Sequence, residues 1–238
     1  MKAFVKKGYS NGARGIKMNL ENNFNINFNL KKIRRIMKKY RIECPHRKPN
    51  PYKRIAKATK EHTTLKNTLD RNFKQGIPFK VLLTDITYLT FGKGQRAYLS
   101  AIKDGSTNEI LASNVSTSIN LDIALTTIKK LTRRQFKLDE NCFIHSDQGV
   151  HYTSPIFQKL LKNKGIGQSM SRKGNCWDNA PIESFFGHMK DHVDLSKAKS
   201  IKDVKKIINH FVDYYNKDRY QWDLKKMTPV QYRNHLLS

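Results

Sequence analysis

The 238-residue sequence predicts an α/β fold, a mixed sheet flanked by helices, preceded by a small all-helical segment. Two observations support this prediction: three strand-like segments follow one another over residues 79–115, and helical and strand-like segments alternate after them. Three consecutive strands do not fit a simple alternating βαβ series. We therefore expect an antiparallel meander that is extended by parallel strands, with helices on both faces.

The N-terminal segment has the pattern of a helix-turn-helix. Residues 12–21 predict a short helix, residues 22–29 a turn, and residues 30–41 a second helix with apolar residues at helical spacing. The other positions of the second helix are basic, and they could contact DNA phosphates: Lys31, Arg34, Arg35 and Lys38. The same pattern also fits a solvated basic helix, so the pattern alone leaves both interpretations open.

The composition changes twice along the chain, which predicts three parts. Residues 1–44 form the helix-turn-helix-like segment, and residues 45–76 form a basic linker that opens with three prolines. Residues 77–238 form the folded core. Its predicted strands are 79–91, 95–102, 110–115, 141–145 and 166–170, and its predicted helices are 122–136, a helix opened by Ser154 and Pro155, 180–193, 204–215 and a short last helix capped by Thr228.

The charge points to a polyanionic partner. The formal net charge is +27, and residues 1–78 alone carry +17. Nucleic acid is the expected partner because each neutralised phosphate releases counterions. A codon bias toward Lys would raise the charge evenly, and an anionic membrane surface is a further alternative. The chain has no 18-residue apolar run, no signal peptide and no cysteine spacing that forms a disulfide framework, so a protein of the reducing cytoplasm without membrane contact is expected.

The few acidic residues occupy positions suited to chemistry. Asp85 lies within a strand, Asp147 follows a strand, and Glu183 lies in the first turns of a helix, off its apolar face. A cluster of three carboxylates repels itself unless a cation is present, and hard oxygen ligands suit Mg²⁺. Two such ions can activate a hydroxyl and stabilise a leaving oxygen at phosphorus. The alternative is that each acid makes a local salt bridge on the surface.

The three acids lie in three longer motifs, TDITY at 84–88, HSDQG at 145–149 and SRKGNCWDNAPIESFF at 171–186, with 35 residues between the last two acids. In these motifs the chain resembles the catalytic core shared by retroviral integrases and the OrfB transposases of the insertion sequence three family. The resemblance implies an RNase H-like fold and a DDE-type transposase. It also implies that Asp85, Asp147 and Glu183 are catalytic residues and ligands of Mg²⁺ or Mn²⁺, as two ions.

The resemblance further implies DNA cleavage and strand transfer without a covalent protein–DNA intermediate. Water or a DNA 3′-hydroxyl would attack a phosphodiester directly. Lys190 stands seven residues after Glu183, where integrase-like cores place a lysine that faces the DNA end; a solvated lysine is the alternative. Arg172 and Lys173, beside a glycine turn, could clamp phosphates.

The expected partners are double-stranded DNA, at element ends and target, and further copies of the chain on that DNA. Members of this family usually work as a fusion with an upstream reading-frame product, so this chain is expected to be the downstream product and to need that partner for full activity. Two rival functions stay open. One is a non-catalytic DNA-binding remnant or regulator of transposition, and the other is a structure-selective nuclease on the same fold.

Overall fold

The computed structural model describes residues 5–6, 9–42, 69–133, 137–171 and 176–238. The strands in these ranges are Val5–Lys6 (β1), Tyr9–Ser10 (β2), Val81–Phe91 (β3), Gln95–Asp104 (β4), Ile110–Ser116 (β5), Phe143–Ser146 (β6) and Gly167–Met170 (β7). The helices are Ala13–Phe24 (α1), Leu30–Lys39 (α2), Leu121–Thr132 (α3), Val150–Thr153 (α4), Pro155–Asn163 (α5), Ala180–His192 (α6), Ile201–Lys217 (α7) and Pro229–Leu237 (α8), and a 3₁₀ turn spans Cys176–Asn179.

The central sheet has five strands in the order β5-β4-β3-β6-β7. The pairs β3–β4 and β4–β5 are antiparallel, whereas β3–β6 and β6–β7 are parallel. This arrangement confirms the predicted meander with a parallel extension. The strand β3 lies in the middle, and its pairing with β6 ends at Leu83 and His145, just before Asp85.

Helices cover both faces of the sheet. Successive residues of a strand point to opposite faces, so neighbouring side chains enter different cores. Leu83 belongs to a core that includes α6 and α7, and its neighbour Leu82 belongs to a second core that includes α3 and α5. Both side chains are fully buried. The predicted α/β fold with helices flanking a mixed sheet is therefore confirmed.

The N-terminal helices form the predicted pair joined by a turn. Asn25, in the left-handed conformation with φ 53°, ends α1, and Asn29 caps α2 by accepting from the Lys32 N–H at 2.7 Å. On α2, Ile33 is buried, whereas the basic residues proposed to contact DNA are exposed: Lys31, Arg34, Arg35 and Lys38.

This helical pair docks on the segment 220–226 of the core. Lys226 donates to Glu21 of α1 at 2.9 Å, and the Tyr220 hydroxyl donates to Asn23 at 3.0 Å. The docking places α1 and α2 beside the C-terminal helices. Of the predicted linker, residues 45–76, positions 45–68 lie outside the described residues. Leu69, within the remaining part, is buried in the α6–α7 core.

Several element boundaries differ from the predicted ones. The helix α7 begins at Ile201, three residues before its predicted start, because Ser200 and Asp203 form a capping box. The short helix α4 was not predicted, and α5 begins at Pro155 as expected although the Ser154 side chain makes no cap hydrogen bond. The predicted end of the 122–136 helix falls on residues 134–136, which lie outside the described residues.

Candidate active site

Asp85 lies in the middle of β3 with a half-buried carboxylate. Its Oδ1 accepts a hydrogen bond from the Ile86 N–H at 2.7 Å. Burial raises the pKa of this carboxyl to about 7, and the negative charges of Asp147 and Glu183 act in the same direction. The backbone hydrogen bond and the cation of Lys190 oppose the rise. The Asp85 carboxyl therefore interacts electrostatically with both of the other predicted acids.

Asp147 follows β6 directly, at the carboxyl end of the strand beside β3. The carboxylate is exposed, and its Oδ1 accepts from the Gly149 N–H at 2.9 Å. A Cβ atom at position 149 would lie only 2.9 Å from that same oxygen. Gly149 therefore permits the close approach by which the backbone holds the Asp147 side chain.

Glu183 lies in the first turn of α6, and its side chain is exposed. The opposite side of the helix is anchored by Ile182 and Phe185, both fully buried. Two turns on, Lys190 places its Nζ 4.5 Å from the centre of the Tyr88 ring on β3. As predicted from the sequence, Glu183 points away from the core, and Lys190 lies near enough for its charge to lower the pKa of Asp85.

The chemistry of these side chains suits a divalent cation. Carboxylate oxygens are the ligands that Mg²⁺ prefers, and the mutual repulsion at Asp85 is a cost that a divalent cation would relieve. Among the described residues, no three His, Cys, Asp or Glu side chains stand close enough together to hold an ion. Asp147 and Glu183 are exposed, so their side chains have room to change rotamer.

Two hydrogen bonds link the start of α6 to the central sheet, and neither was predicted from the sequence. The Asn179 Nδ2 donates to the Thr84 carbonyl at 3.2 Å, and the Lys103 Nζ donates to the Pro181 carbonyl at 2.9 Å. Both asparagine and lysine are buried. Asn179 falls inside the 171–186 motif, so the motif could have drawn attention to it, whereas Lys103 carries no local signal.

Two further contacts fix the ends of the motif segments. The Arg71 Nε lies 3.0 Å from the fully buried Asp178 carboxylate. His145 is buried, and its two ring nitrogens lie 3.0 Å from the hydroxyl groups of Ser169 and Ser171. Burial lowers the pKa of His145, which keeps the ring neutral near pH 7.

Other predicted contacts have different outcomes. Arg172 and Lys173 lie outside the described residues, so their role as phosphate clamps stays a prediction. Of the helices described, none combines the length and the apolar character that a bilayer span requires.

Comparison with known families and proteins agrees with this geometry. Two integrase core domain models match residues 76–176 and 164–229, and an HTH-like domain model matches residues 1–50. An uncharacterized transposase-like protein of Haemophilus influenzae is 35% identical over 216 residues, which cover 90% of this chain and 96% of that protein.

The chain belongs to the insertion sequence three family of transposases. A second relative in this family comparison is the putative transposase InsK for insertion sequence element IS150 of Escherichia coli K12, which is 37% identical over 175 residues. That match covers 72% of this chain and 60% of InsK, so this chain spans less than two thirds of the length of that relative. The resemblance predicted from the three motifs is confirmed.

A solved structure shares the fold. A chain of the simian T-cell lymphotropic virus intasome, solved by cryoEM in complex with PP2A regulatory subunit B56 gamma, superposes with a TM-score of 0.56 at 13% sequence identity. The match covers 74% of this chain and 60% of that chain. At this identity the likeness concerns the fold, and it confirms the predicted RNase H-like core.

Proposed function

We propose that this transposase cleaves DNA and transfers the cut strand, with Asp85, Asp147 and Glu183 as its catalytic residues and metal ligands. The observation that carries the proposal is the position of Asp85. Its carboxylate is half-buried at the centre of the sheet, where the charges of Asp147 and Glu183 both raise its pKa. A structural role gives no reason to place two further negative charges where they oppose ionisation of a half-buried carboxyl.

The proposed ligands would hold Mg²⁺ or Mn²⁺, as two ions. Bound there, the ions would lower the pKa of the attacking hydroxyl and neutralise charge on the leaving oxygen of a phosphodiester. Asp85 provides the fixed ligand because β3 and the Ile86 N–H hold it in place. Asp147 and Glu183 have exposed side chains that can turn toward it.

Cationic residues would bind the DNA itself. Lys190 lies on the same side of α6 as Glu183, where its ammonium would contact the backbone of the reacting strand. Four exposed basic residues of α2 would contact phosphates of the element end: Lys31, Arg34, Arg35 and Lys38. We also propose that the transposase acts as an oligomer on DNA and with an upstream fusion partner, as the family resemblance implies.

The first experiment measures nicking and joining of a supercoiled plasmid by the purified chain in Mg²⁺ or Mn²⁺. Asp147→Asn is expected to abolish both products while DNA affinity stays equal or rises, because less negative charge faces phosphate. The matched control is Asp213→Asn, which removes an exposed carboxylate of α7 paired with Lys217 at 2.9 Å. The control is expected to retain both activities.

The outcomes separate the rival functions. Joined products that need metal and Asp147 support the transposase, and nicks without any joined product indicate a nuclease on the same fold. Salt-sensitive DNA binding without products, in this chain and in a fusion with an upstream product, indicates a binding-only protein. Cleavage that survives Asp147→Asn overturns the metal-ligand assignment.

A further inference from the structure

Asn179 begins the helix that carries Glu183, yet its side chain does not cap that helix. Asparagine is among the preferred N-cap residues because its side-chain oxygen accepts from the first turn. Here the N-cap has no side-chain hydrogen bond of this kind. The amide instead reaches across to β3 and donates from Nδ2 to the Thr84 carbonyl, the carbonyl that precedes Asp85.

This alternative contact carries a free-energy cost. The helix forgoes a side-chain cap hydrogen bond that would stabilise its N-terminus. The Asn179 Oδ1 is buried, and within the described part of the chain it has no hydrogen-bond partner. Buried polar atoms are rarely left unpaired, and such exceptions concentrate where function demands a particular geometry.

Lys103 holds the same turn from the neighbouring strand. It lies on β4, only 4% exposed, and its Nζ donates to the carbonyl of Pro181, the second residue of α6. Burial of an ammonium group is unfavourable unless the group is paired. A methionine would fill the same space without that cost, so the hydrogen bond to α6 is the feature that only the lysine supplies.

The two contacts tie the start of α6 to two neighbouring strands of the sheet. Residue 179 is tied to β3 beside Asp85, residue 181 is tied to β4, and Glu183 follows two residues later. Both strands are paired on both sides in the sheet, so the contacts join the helix to interior strands and not to an edge. The two contacts thus fix the backbone of the first turn, and with it the point from which the Glu183 side chain reaches toward Asp85.

We propose that Asn179 and Lys103 are positioning residues that set the distance between Glu183 and Asp85 for joint metal binding. This inference rests on the proposed function, because it takes the two carboxylates as ligands of the same metal site. Neither residue touches the reacting atoms. Residues that orient metal ligands typically change metal affinity by about 10-fold to 100-fold when they are removed.

The test uses Mn²⁺ as the probe and isothermal titration calorimetry of the full chain. Asn179→Leu removes both polar atoms at similar size, and Lys103→Met removes the ammonium and keeps the stem. Each is expected to raise the dissociation constant for Mn²⁺ about tenfold. Lys103→Met also covers the case in which Asn179→Leu does not fold, and circular dichroism reports folding for both.

The matched control is Asn216→Leu. Asn216 is also a buried asparagine that bonds the sheet backbone, donating to the Ile110 carbonyl and accepting from its N–H at 2.9 Å each, but on the edge strand β5. Its replacement is expected to lower the melting temperature without changing the dissociation constant for Mn²⁺. A purely structural role of Asn179 and Lys103 would give the same result for all three variants.

The outcomes keep the two proposals apart. If Asp147→Asn removes Mn²⁺ binding while Asn179→Leu and Lys103→Met bind as the unaltered chain does, the positioning role is wrong and the metal site stands. If the unaltered chain shows no saturable Mn²⁺ binding, or Asp147→Asn binds equally well, the metal assignment fails, and the positioning role fails with it.

Discussion

At the scale of single residues, Gly149 shows how a backbone group sets the place of a predicted ligand. Its N–H donates to Asp147 Oδ1, and a Cβ at this position would meet the same oxygen at 2.9 Å. The φ of Gly149 is −59°, which any residue can adopt. An alanine would therefore move the carboxylate while the backbone kept its conformation.

Gly149→Ala is expected to reduce metal-dependent cleavage about tenfold or more, because displacement of a carboxylate oxygen from its productive position at a reacting group is costly. The melting temperature should change little, since the oxygen that must move ends an exposed side chain. Val150→Ala, at a neighbouring side chain that is 78% exposed, is the control and should cleave as the unaltered chain does. Equal rates for both variants would contradict the role of Gly149.

The candidate acids could be predicted from the sequence, whereas the residues that support them could not. Asp85, Asp147 and Glu183 lie in local motifs with a fixed spacing, and each motif can be recognised without knowledge of the fold. The contact of Asn179 with Thr84 spans 95 residues, and that of Lys103 with Pro181 spans 78. Such contacts depend on strand order and helix placement, which have no signal at either residue.

At the scale of elements, the core faces were predictable and the ends were not. Apolar periodicity locates α7 from Val204, its first buried residue, but the helix begins three residues earlier, where Ser200 and Asp203 cap it. The Ser200 Oγ accepts from the Asp203 N–H, and the Asp203 carboxylate accepts from the Ser200 N–H at 2.9 Å. Periodicity detects buried residues, so it misses a first turn that is exposed.

Ser200→Ala is expected to lower the free energy of unfolding by about 1 kcal/mol, because an N-cap hydrogen bond is lost. Chemical denaturation followed by circular dichroism would measure the difference. Ser200→Thr keeps the hydroxyl and should retain most of the stability. A loss of stability that is equal in both variants would show that the cap hydrogen bond contributes nothing.

At the scale of the whole molecule, the helical pair α1–α2 is held to the core by few polar contacts. Glu21 accepts from Lys17 at 2.6 Å and from Lys226 at 2.9 Å, and these hydrogen bonds lower the pKa of its carboxyl. Arg14 and Lys226 lie over the Trp222 ring, at 5.8 and 5.5 Å from its centre. The fluorescence of Trp222 should therefore report the docking.

Because the pKa of Glu21 is lowered, its contribution is complete above the usual value of 4.5 and is lost as the pH falls through the lowered value. In a Trp177→Phe background, the Trp222 emission should stay constant from pH 8 to 5 and change in stronger acid. Glu21→Gln should shift the emission toward the acid form already at pH 7.

The control for this titration is Glu140→Gln, at an exposed carboxylate paired with Lys137 at 3.9 Å. It should leave the Trp222 emission unchanged. Far-UV circular dichroism over the same pH range separates undocking from unfolding. An emission that is identical in Glu21→Gln and the unaltered chain at every pH would exclude a contribution of this ion pair to docking.

The helix that carries the last proposed ligand packs on α7, which follows it in the chain and is therefore synthesised later. Phe185, beside Glu183, packs on Phe211 and Tyr215 of α7, with ring centres 6.2 and 4.9 Å apart. While the ribosome is still translating α7, the nascent chain cannot bury the helix that carries the last acid. Under the proposed function, a polypeptide that terminates before α7 would not cleave DNA. Incomplete translation products would therefore not cut the host chromosome.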